Sequence, residues 1–320
     1  MKAIRVQQFG EPDVLQVATV PDLTPAAGQI LVRIQAIGIN PVETYIRSGK
    51  YAKLPPPPYT PGTDGAGTIA ALGSGVTGWK VGDRVYLAGS VTGTYAEQAL
   101  CEPVHLHPLP DNVSFTQGAA LGVPYTTAHV ALFHRGHLRS GEIILIHGAT
   151  GGVGLAAVQL AQTVGARVLA TGGTDEGRLL LLDQGAYAVF DHHSKDYPER
   201  ILDTTDGRGV DFILEMLASV NLGKDLPMLA NNGRVVIVGS RGPVEINPRD
   251  LMARNADVRG VMVFGTPAPV LTEAHLAIVS GLKEGKLHPI IAREFPLADA
   301  AEAHKTVMAP GASGKIVLVN

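Results

Sequence analysis

Hydrophobic and polar positions follow two different patterns along this chain. In its first third, short β-branched segments alternate with glycine-containing turns such as GSGVTG and GSVTG, which is typical of antiparallel strands. We predict strands at 30–39, 66–72, 84–87 and 95–100, followed by a helix that Ser114 caps together with Gln117. From about Val123, apolar strands alternate with helices, and this change predicts a second, α/β domain built on a parallel sheet.

The alternating region predicts a doubly wound sheet of the Rossmann type, because its strands are joined by helical crossovers. Two further helices, near 271–284 and 298–307, and a last apolar strand at 316–319 follow it. We therefore expect a first domain of residues 1–122, completed by 265–320, and a dinucleotide-binding domain of residues 123–264. The predicted strands of the second domain are 143–147, 167–170, 188–190, 210–214, 234–238 and 258–263, and its helices are 153–164, 175–184, 198–204 and 222–230.

Composition and charge narrow the classes of partner. Hydrophobic residues make up 45% and charged residues 17% of the 320, so the chain has enough apolar surface to form compact cores. A net charge of −3 offers no general attraction to nucleic acid or to acidic membranes. The single cysteine, Cys101, excludes an intrachain disulfide and fits a reducing compartment.

The sequence contains no predicted export signal or membrane span. Residues 1–10 alternate apolar and polar side chains and carry no long apolar run. The uncharged stretch 143–166 is long enough to cross a bilayer, but it includes His147, Gln159 and a glycine cluster. We interpret this stretch as a strand, a turn and a helix, and we predict a cytoplasmic protein without a membrane partner.

The strongest chemical signal lies in the stretch ILIHGATGGVGLAAVQLA. Ala149, Gly151 and Gly154 occupy the small-residue positions of an AxGxxG turn between a predicted strand and a predicted helix. Small residues allow the backbone to approach a pyrophosphate, and the N–H groups at the helix start can bind it. Thr150 adds a hydroxyl donor. The alternative is a glycine turn that only packs the helix against the strand.

The end of the next strand indicates which dinucleotide binds. An acidic residue about twenty positions after the glycine turn is typical of NAD sites, whereas this chain has Gly172 and Gly173 there. Because no carboxylate stands at this point to repel a 2′-phosphate, NADP is favoured, with Arg178 or His192 as its donor. NAD remains the alternative if Asp175 or Glu176 turns toward the ribose.

Metal binding has little support, although the chain has 11 histidines. His105 with His107 and His134 with His137 are spaced so that two side chains can share a face. A tetrahedral site needs three or four converging ligands, and no cysteine or carboxylate group completes either pair. We predict no metal site.

Several longer stretches together carry a family resemblance. They are GINPVETYIRSGKY, YTPGTDGAG, GATGGVGLA, EMLASVNLGKDL and GRVVIVGSRGPVEINPRDLMA. These stretches are the most specific part of a resemblance that covers nearly the whole chain. The chain resembles the zeta-crystallin-like, zinc-independent NADPH:quinone oxidoreductases of the medium-chain dehydrogenase/reductase superfamily. The resemblance implies a GroES-like β-barrel domain, a Rossmann NADP-binding domain and a cleft between them in which a quinone is reduced.

The resemblance also implies a set of site residues. The zinc ligands of related alcohol dehydrogenases correspond to Asn40 and Thr63, which are poor zinc ligands. A quinone accepts electrons without a Lewis acid, either as a hydride or singly. We therefore predict that Asn40 and Tyr45 donate hydrogen bonds to its oxygen, with a packing wall as the alternative role of Tyr45. The implied cofactor residues are Tyr45, Thr127, Thr150, Gly151, Gly152, Val153, Gly173, Arg178, His192, Asn221, Val238, Gly239, Ser240, Arg241, Val261, Met262 and Val263.

Two other functions remain open at this point. An enoyl-thioester or enone reductase would use the same hydride, although no lysine or arginine cluster suggests a pocket for coenzyme A phosphates. A structural, crystallin-like role or RNA binding also occurs among relatives, and the net charge argues against RNA. The apolar segment VRGVMVFG predicts an exposed sheet edge that a second copy would cover, as a homodimer or homotetramer.

Overall fold

The computed structural model describes residues 1–311 and 313–320. It divides into two compact units, one of Met1–Val123 with Val279–Asn320 and one of Pro124–Ile278. The first division lies one position after the predicted boundary at 122. The second lies within the helix Ala268–Lys283 rather than at 264, because the first turns of that helix still interact with the second unit: the charge of Glu273 acts on His129.

Unit 1 is built mainly on antiparallel strands, as the alternating pattern predicts, and only its last two strands pair in parallel among the described residues. Its seven-stranded sheet has the order β14-β15-β3-β4-β5-β7, where β14 is Ile291–Pro296 and β15 is Lys315–Val319. Strand β6 also pairs with β3, and β1 and β2 form a separate pair. The elements before the second unit are β1 (Lys2–Arg5), β2 (Gln16–Thr19), β3 (Ile30–Gly38), α1 (Pro41–Arg47), β4 (Asp64–Leu72), β5 (Arg84–Ala88), β6 (Gln98–Cys101), β7 (Leu106–Pro108) and α2 (Phe115–Gly118). Helix α3 (Gly122–His129) begins in unit 1 and lies mostly in unit 2.

The core of unit 1 consists of buried aliphatic side chains from these strands, among them Ile4, Val32, Ile69 and Leu318. Strands β3 and β4 lie very close where their register shifts. At Gly67 an added Cβ would lie 1.9 Å from the carbonyl oxygen of Arg33, so only glycine fits this approach. The predicted strand 95–100 begins later, at Gln98, because Tyr95 instead donates its N–H to the carbonyl of Pro61.

Unit 2 is a parallel α/β sheet with the strand order β10-β9-β8-β11-β12-β13. Every neighbouring pair in it is parallel, which confirms the predicted doubly wound architecture. The order reverses between β8 and β11. Its elements are the π-helix Val130–Arg135, β8 (Ile143–Ile146), α4 (Gly152–Thr163), β9 (Arg167–Thr171), α5 (Asp175–Asp183), β10 (Ala188–Phe190), α6 (Tyr197–Thr204), β11 (Val210–Glu215), α7 (Ala218–Met228), β12 (Leu229–Ile237), α8 (Pro248–Met252) and β13 (Asp257–Gly260).

One predicted stretch of unit 2 is confirmed, and one predicted strand ends earlier in the structure. The uncharged stretch 143–166 forms β8, a turn and α4, and α4 is buried along most of its length. The last strand ends at Gly260 instead of 263, and Val263–Gly265 forms a short 3-10 helix. The described residues contain no helix with the length and apolar character that a bilayer crossing requires.

The chain returns to unit 1 through its last elements. These are α9 (Ala268–Lys283), β14 (Ile291–Pro296), α10 (Ala300–Met308) and β15 (Lys315–Val319). Strand β15 lies between β14 and β3 and pairs antiparallel with β3 through Val317, Leu318 and Val319. The carboxy-terminal residues therefore complete the sheet of unit 1, as predicted.

Candidate active site

The turn between β8 and α4 is shaped for an anion. Gly148 has a positive φ of 55°, and Gly151 stands at the N-cap of α4 with no side chain capping the helix. The first N–H groups of an α-helix have no partner within the helix. Since no side chain takes that place here, these groups are available to a phosphate, and the helix dipole favours it.

Two glycines of this turn have different functions. A Cβ added at Gly154 would lie 2.5 Å from the Cα of Ala149, so the absence of a side chain there allows α4 to pack against the turn. A Cβ added at Gly151 would have only an ordinary contact, 3.6 Å from the carbonyl oxygen of Gly148. A side chain at Gly151 is therefore compatible with the fold but occupies space in front of the helix start.

The structure brings together Gly173, Arg178 and His192 after strand β9. Arg178 donates to the carbonyl of Gly172 at 3.1 Å and lies 3.6 Å from the carboxylate of Asp191. A Cβ at Gly173 would lie 2.9 Å from the Nε2 of His192. Burial, followed by the charge of His193, lowers the pKa of His192. Asp175, which could have favoured NAD, is exposed and forms an ion pair with Arg178.

The remaining predicted cofactor residues of unit 2 follow β11, β12 and β13, with one exception. Val238 and Gly239 donate their N–H groups to the carbonyl of Glu215, at 2.8 and 3.4 Å, and Val261 donates to the carbonyl of Ile237. Because the strands are parallel, these residues lie at the same edge of the sheet as the glycine turn. The exception is Thr127, which is buried in α3. The residues at the edge include Asn221, Val238, Gly239, Ser240, Arg241, Val261, Met262 and Val263.

A buried polar cluster in unit 1 surrounds Asn40. Its Nδ2 donates to a carboxylate oxygen of Asp64 at 2.9 Å and to one of Glu43 at 3.4 Å, and its Oδ1 accepts from Lys315. The Nζ of Lys315 lies 3.2 Å from Asp64. Both amide hydrogens of Asn40 are therefore directed to carboxylates, and these contacts do not support its predicted role as a donor to substrate.

Glu43 continues this cluster on its other side. It accepts hydrogen bonds from the hydroxyl of Tyr95 at 2.5 Å and from the N–H of Thr63 at 3.2 Å, and Tyr95 also lies 3.0 Å from the Nε2 of His304. Burial raises the pKa of Glu43 to about 7. Burial, followed by the charge of Arg47, lowers the pKa of His304 to about 3. His304 is therefore neutral at physiological pH. No local pattern in the sequence indicates this Glu43–Tyr95–His304 contact, because its members are distant in the chain.

Tyr45 differs from Asn40 in its surroundings. It lies on α1 and is half-buried, and its backbone carbonyl accepts from Lys50 at 2.9 Å. Helix α1 is held at its start by the hydrogen bond from the Asn40 N–H to Glu43, at 3.0 Å. The structure therefore places Tyr45 on a short, firmly anchored helix with its side chain partly accessible.

Unit 1 also contains a cavity of about 730 Å³ that the sequence did not indicate. Its wall is mostly apolar, with Arg5 and Glu43 among the charged residues that line it. Thr63 and Gly62 form another part of the wall. The residues come from β1, α1 and several loops, so only folding brings them together.

A second buried cluster lies in unit 2, directly before the glycine turn. The Nε2 of His147 lies 2.9 Å from Asp225 and 3.8 Å from Glu215. Ligand-type atoms of these three residues lie within 4.8 Å of one another, the one such group among the residues that the structure describes. The 2.9 Å distance is that of a hydrogen bond with the proton on the line between nitrogen and oxygen, so we interpret the group as a hydrogen-bonded ion pair.

We expect Lys315→Met to destabilise unit 1 by about 3 kcal/mol at pH 8, because it leaves Asp64 buried without its cation. Burial raises the pKa of Asp64, so ionisation of Asp64 lowers the free energy of unfolding as pH rises. The substitution raises this pKa further and makes that decrease larger. The loss should therefore be smaller at pH 5. Denaturant unfolding followed by the fluorescence of Trp79, the one tryptophan, reports on unit 1.

The matched control is Lys305→Met on α10. Lys305 is an exposed residue with its Nζ 3.4 Å from Glu302, and such pairs contribute less than about 1 kcal/mol. Equal effects of the two substitutions at both pH values would contradict the importance of the Asp64–Lys315 pair.

Comparisons with known proteins agree with this architecture. Residues 26–111 match the family model of the alcohol dehydrogenase GroES-like domain, and residues 152–276 match that of the zinc-binding dehydrogenases. Among curated proteins, the chain is 46% identical to the quinone oxidoreductase of Pongo abelii and 45% identical to that of Homo sapiens. In both cases the match covers 100% of this chain and 98% of the relative.

Solved structures give the same result. The Escherichia coli quinone oxidoreductase complexed with NADPH matches with a TM-score of 0.89 and 32% identity over 100% of both chains. A quinone oxidoreductase of Pseudomonas syringae matches with a TM-score of 0.90 and 32% identity over 100% of this chain and 99% of that one. The GroES-like character of unit 1 and the Rossmann character of unit 2 are thereby confirmed. The chain belongs to the quinone oxidoreductase family of medium-chain dehydrogenases/reductases.

Proposed function

We propose that this protein is an enzyme that reduces quinones with NADPH. The observation that carries the proposal is identity of 45–46% over the whole chain to quinone oxidoreductases, in a fold that retains an uncapped glycine turn at the helix start. The enoyl-thioester reductase, RNA-binding and structural alternatives are not favoured by these comparisons.

Unit 2 contains residues that fit NADPH. The uncapped start of α4, from Gly151 to Val153 with Thr150 before it, would hold the pyrophosphate. Arg178 and His192, near Gly173, would hold the 2′-phosphate, because a guanidinium and an imidazole can both donate to it. NADPH supplies reducing electrons when it is bound. The loops after β11, β12 and β13 would surround the rest of the cofactor. The predicted contact between Thr127 and the cofactor stays a prediction, since Thr127 lies buried in α3.

For the substrate, we propose that Tyr45 is the hydrogen-bond donor. A phenol can stabilise negative charge that develops on a quinone oxygen, and Tyr45 is partly accessible on α1. Asn40 receives a different function, since its amide is engaged with Asp64 and Glu43. It positions the start of α1 and thereby Tyr45. Asn40 and Thr63 replace the expected zinc ligands, and we propose that reduction proceeds without a metal.

The proposed assembly is a homodimer or homotetramer formed through strand β13. This strand is one of the two edges of the parallel sheet, the other being β10, and such an edge pairs readily with another strand. Met262 and Phe264, which follow it, are large exposed hydrophobic residues. For the compartment we propose the reducing cytoplasm, in agreement with the one cysteine, Cys101, which is free and buried.

Turnover with 1,4-naphthoquinone or 9,10-phenanthrenequinone tests the proposed activity. We expect the oxidation of NADPH to depend on quinone, to be faster than that of NADH, and to survive exhaustive chelation. Crotonyl-coenzyme A serves as the control substrate and should give little turnover. Reduction of crotonyl-coenzyme A without reduction of quinones would contradict the proposal.

Substitution of Gly151 tests the phosphate assignment. Gly151→Val should weaken NADPH binding roughly a hundredfold, equivalent to ~2.7 kcal/mol, because the new side chain occupies the place of the pyrophosphate. Its melting temperature should stay near that of the parent protein, since a Cβ there meets no close atom. Gly154→Val should instead lower the melting temperature.

Ala253→Val, at an exposed position of the same unit, is the control for adding a valine side chain outside the turn. Its NADPH affinity should match that of the parent protein. Binding is measured by fluorescence titration. Unchanged NADPH affinity in Gly151→Val would remove the proposed pyrophosphate site.

Analytical ultracentrifugation at micromolar concentration tests the assembly. We expect a dimer or tetramer, and Phe264→Asp should shift it toward the monomer because the charge would be buried at the interface. Leu276→Asp, at another exposed hydrophobic position, is the control. A monomeric parent protein would contradict the proposed oligomer.

A further inference from the structure

The cluster of His147, Asp225 and Glu215 lies where the strand order of unit 2 reverses. His147 follows β8, Glu215 ends β11, and Asp225 lies on α7, which follows β11. All three side chains are almost completely buried, at 0 to 1% exposure. Ligands of doubly wound sheets bind outside the carboxyl ends of the strands at such a point. The cluster is therefore directly below the proposed cofactor site.

One side of the cluster holds the glycine turn. The Nδ1 of His147 lies 3.3 Å from the hydroxyl of Thr171, and the same hydroxyl accepts from the N–H of Gly148 at 3.3 Å. The N–H of Ala149 donates to the carbonyl of Thr171 at 3.2 Å. The position of the turn thus depends on His147 and Thr171 together.

The other side holds the loops after β11 and β12. The Oε1 of Glu215 accepts from the N–H of Leu217 and from the Nδ2 of Asn221, the latter at 3.1 Å. Its backbone carbonyl accepts from Val238 and Gly239. The cluster of His147, Asp225 and Glu215 therefore connects three loops of the proposed site: the glycine turn, the loop after β11 and the loop after β12.

The two carboxyl groups cannot both be ionised without a cost. Glu215 Oε2 and Asp225 Oδ2 are buried and have no donor, so two ionised groups would leave both oxygens unsatisfied. A proton on Glu215 removes this difficulty, because it can donate to Asp225. Burial raises the pKa of Glu215 to about 7, the charge of His147 opposes that effect, and the charge of Asp225 adds to it. Burial lowers the pKa of His147, but the charges of Asp225 and Glu215 outweigh burial and raise it overall.

We propose that His147, Asp225 and Glu215 share protons in a network that positions the glycine-rich turn and links dinucleotide affinity to pH. The inference rests on the proposed function, since it assigns these residues to the binding of NADPH. With His147 charged, Asp225 ionised and Glu215 neutral, the three groups have no net charge. Loss of the Glu215 proton leaves one negative charge below the cofactor phosphates and removes the donor to Asp225.

Other groups face this network and belong to its charge balance. The charge of Lys224 lowers the pKa of His147. Tyr197 lies with its ring 6.1 Å from that of His147, and burial followed by the charges of Asp225 and Glu215 raises its pKa to about 12, so it stays neutral. The charge of His147 contributes to lowering the pKa of His192. His192 and the 2′-phosphate add a pH dependence of their own, which is absent with NADH.

The experiment compares the Kd of NADPH and NADH between pH 6 and pH 8.5, measured by fluorescence titration. In the parent protein both should bind about fivefold more weakly at pH 8.5, as expected for one added charge near the phosphates. Glu215→Gln keeps an acceptor for Asn221 and a permanent donor to Asp225. Its NADH affinity should therefore be independent of pH and match that of the parent at pH 6. The control is Glu199→Gln, an exposed residue of α6, which should keep the parental profile.

A second measurement needs no variant. Calorimetry of NADH binding at pH 7.5, in buffers of different ionisation enthalpy, should show net proton uptake by the parent protein. An absence of proton uptake, or a Glu215→Gln profile with the parental pH dependence, would overturn the inference while leaving the proposed function intact. If neither cofactor binds the parent protein at any pH, the proposed function fails together with the inference.

Discussion

Parallel pairing of β8 with both β9 and β11 is the constraint on which the proposed cofactor site depends. Parallel strands end at the same edge, and the crossover helices return the chain to the opposite edge each time. The turn after β8, the loop after β9 and the loops after β11 and β12 are therefore neighbours, although they are distant in sequence. The uncapped start of α4 lies among them, so the proposed phosphate site depends on backbone N–H groups and their position rather than on a cluster of basic side chains.

Both units also bury ionisable side chains, and in each a buried aspartate has a basic side chain as its partner. In unit 1, Asp64 has Lys315, Asn40 and the N–H of Val123 as partners. In unit 2, Asp225 has His147. Groups buried in this way need complete partners because an unpaired charge in an apolar interior is costly. These buried groups hold loops in place where segments distant in sequence meet. The loss of one partner therefore destabilises more than one element.

Sequence reasoning was reliable where a local pattern has a local cause. The strands and helices of unit 2 are periodic, and their predicted bounds differ from the observed ones by few residues, apart from the start of α7 and of β12 and the end of β13. The cap formed by Ser114 and Gln117 is present, with the N–H of Gln117 donating to Ser114 at 3.1 Å. The donor role of Asn40 was not supported, because its partners Asp64 and Lys315 come from β4 and β15. The second compact unit ends at Ile278, within α9, and not at 264, since a helix carries no local mark of which unit its side chains contact.

By itself, the amino-acid sequence determined the succession of elements, the glycine turn and the absence of an acidic residue at the end of β9, because each depends on neighbours in the chain. Only the tertiary structure decided which polar groups meet: Glu43 with Tyr95 and His304, and His147 with Asp225 and Glu215. These contacts, and the pKa shifts that follow from their burial, depend on strand order and on the exclusion of water. No single stretch of the chain specifies the strand order or the exclusion of water.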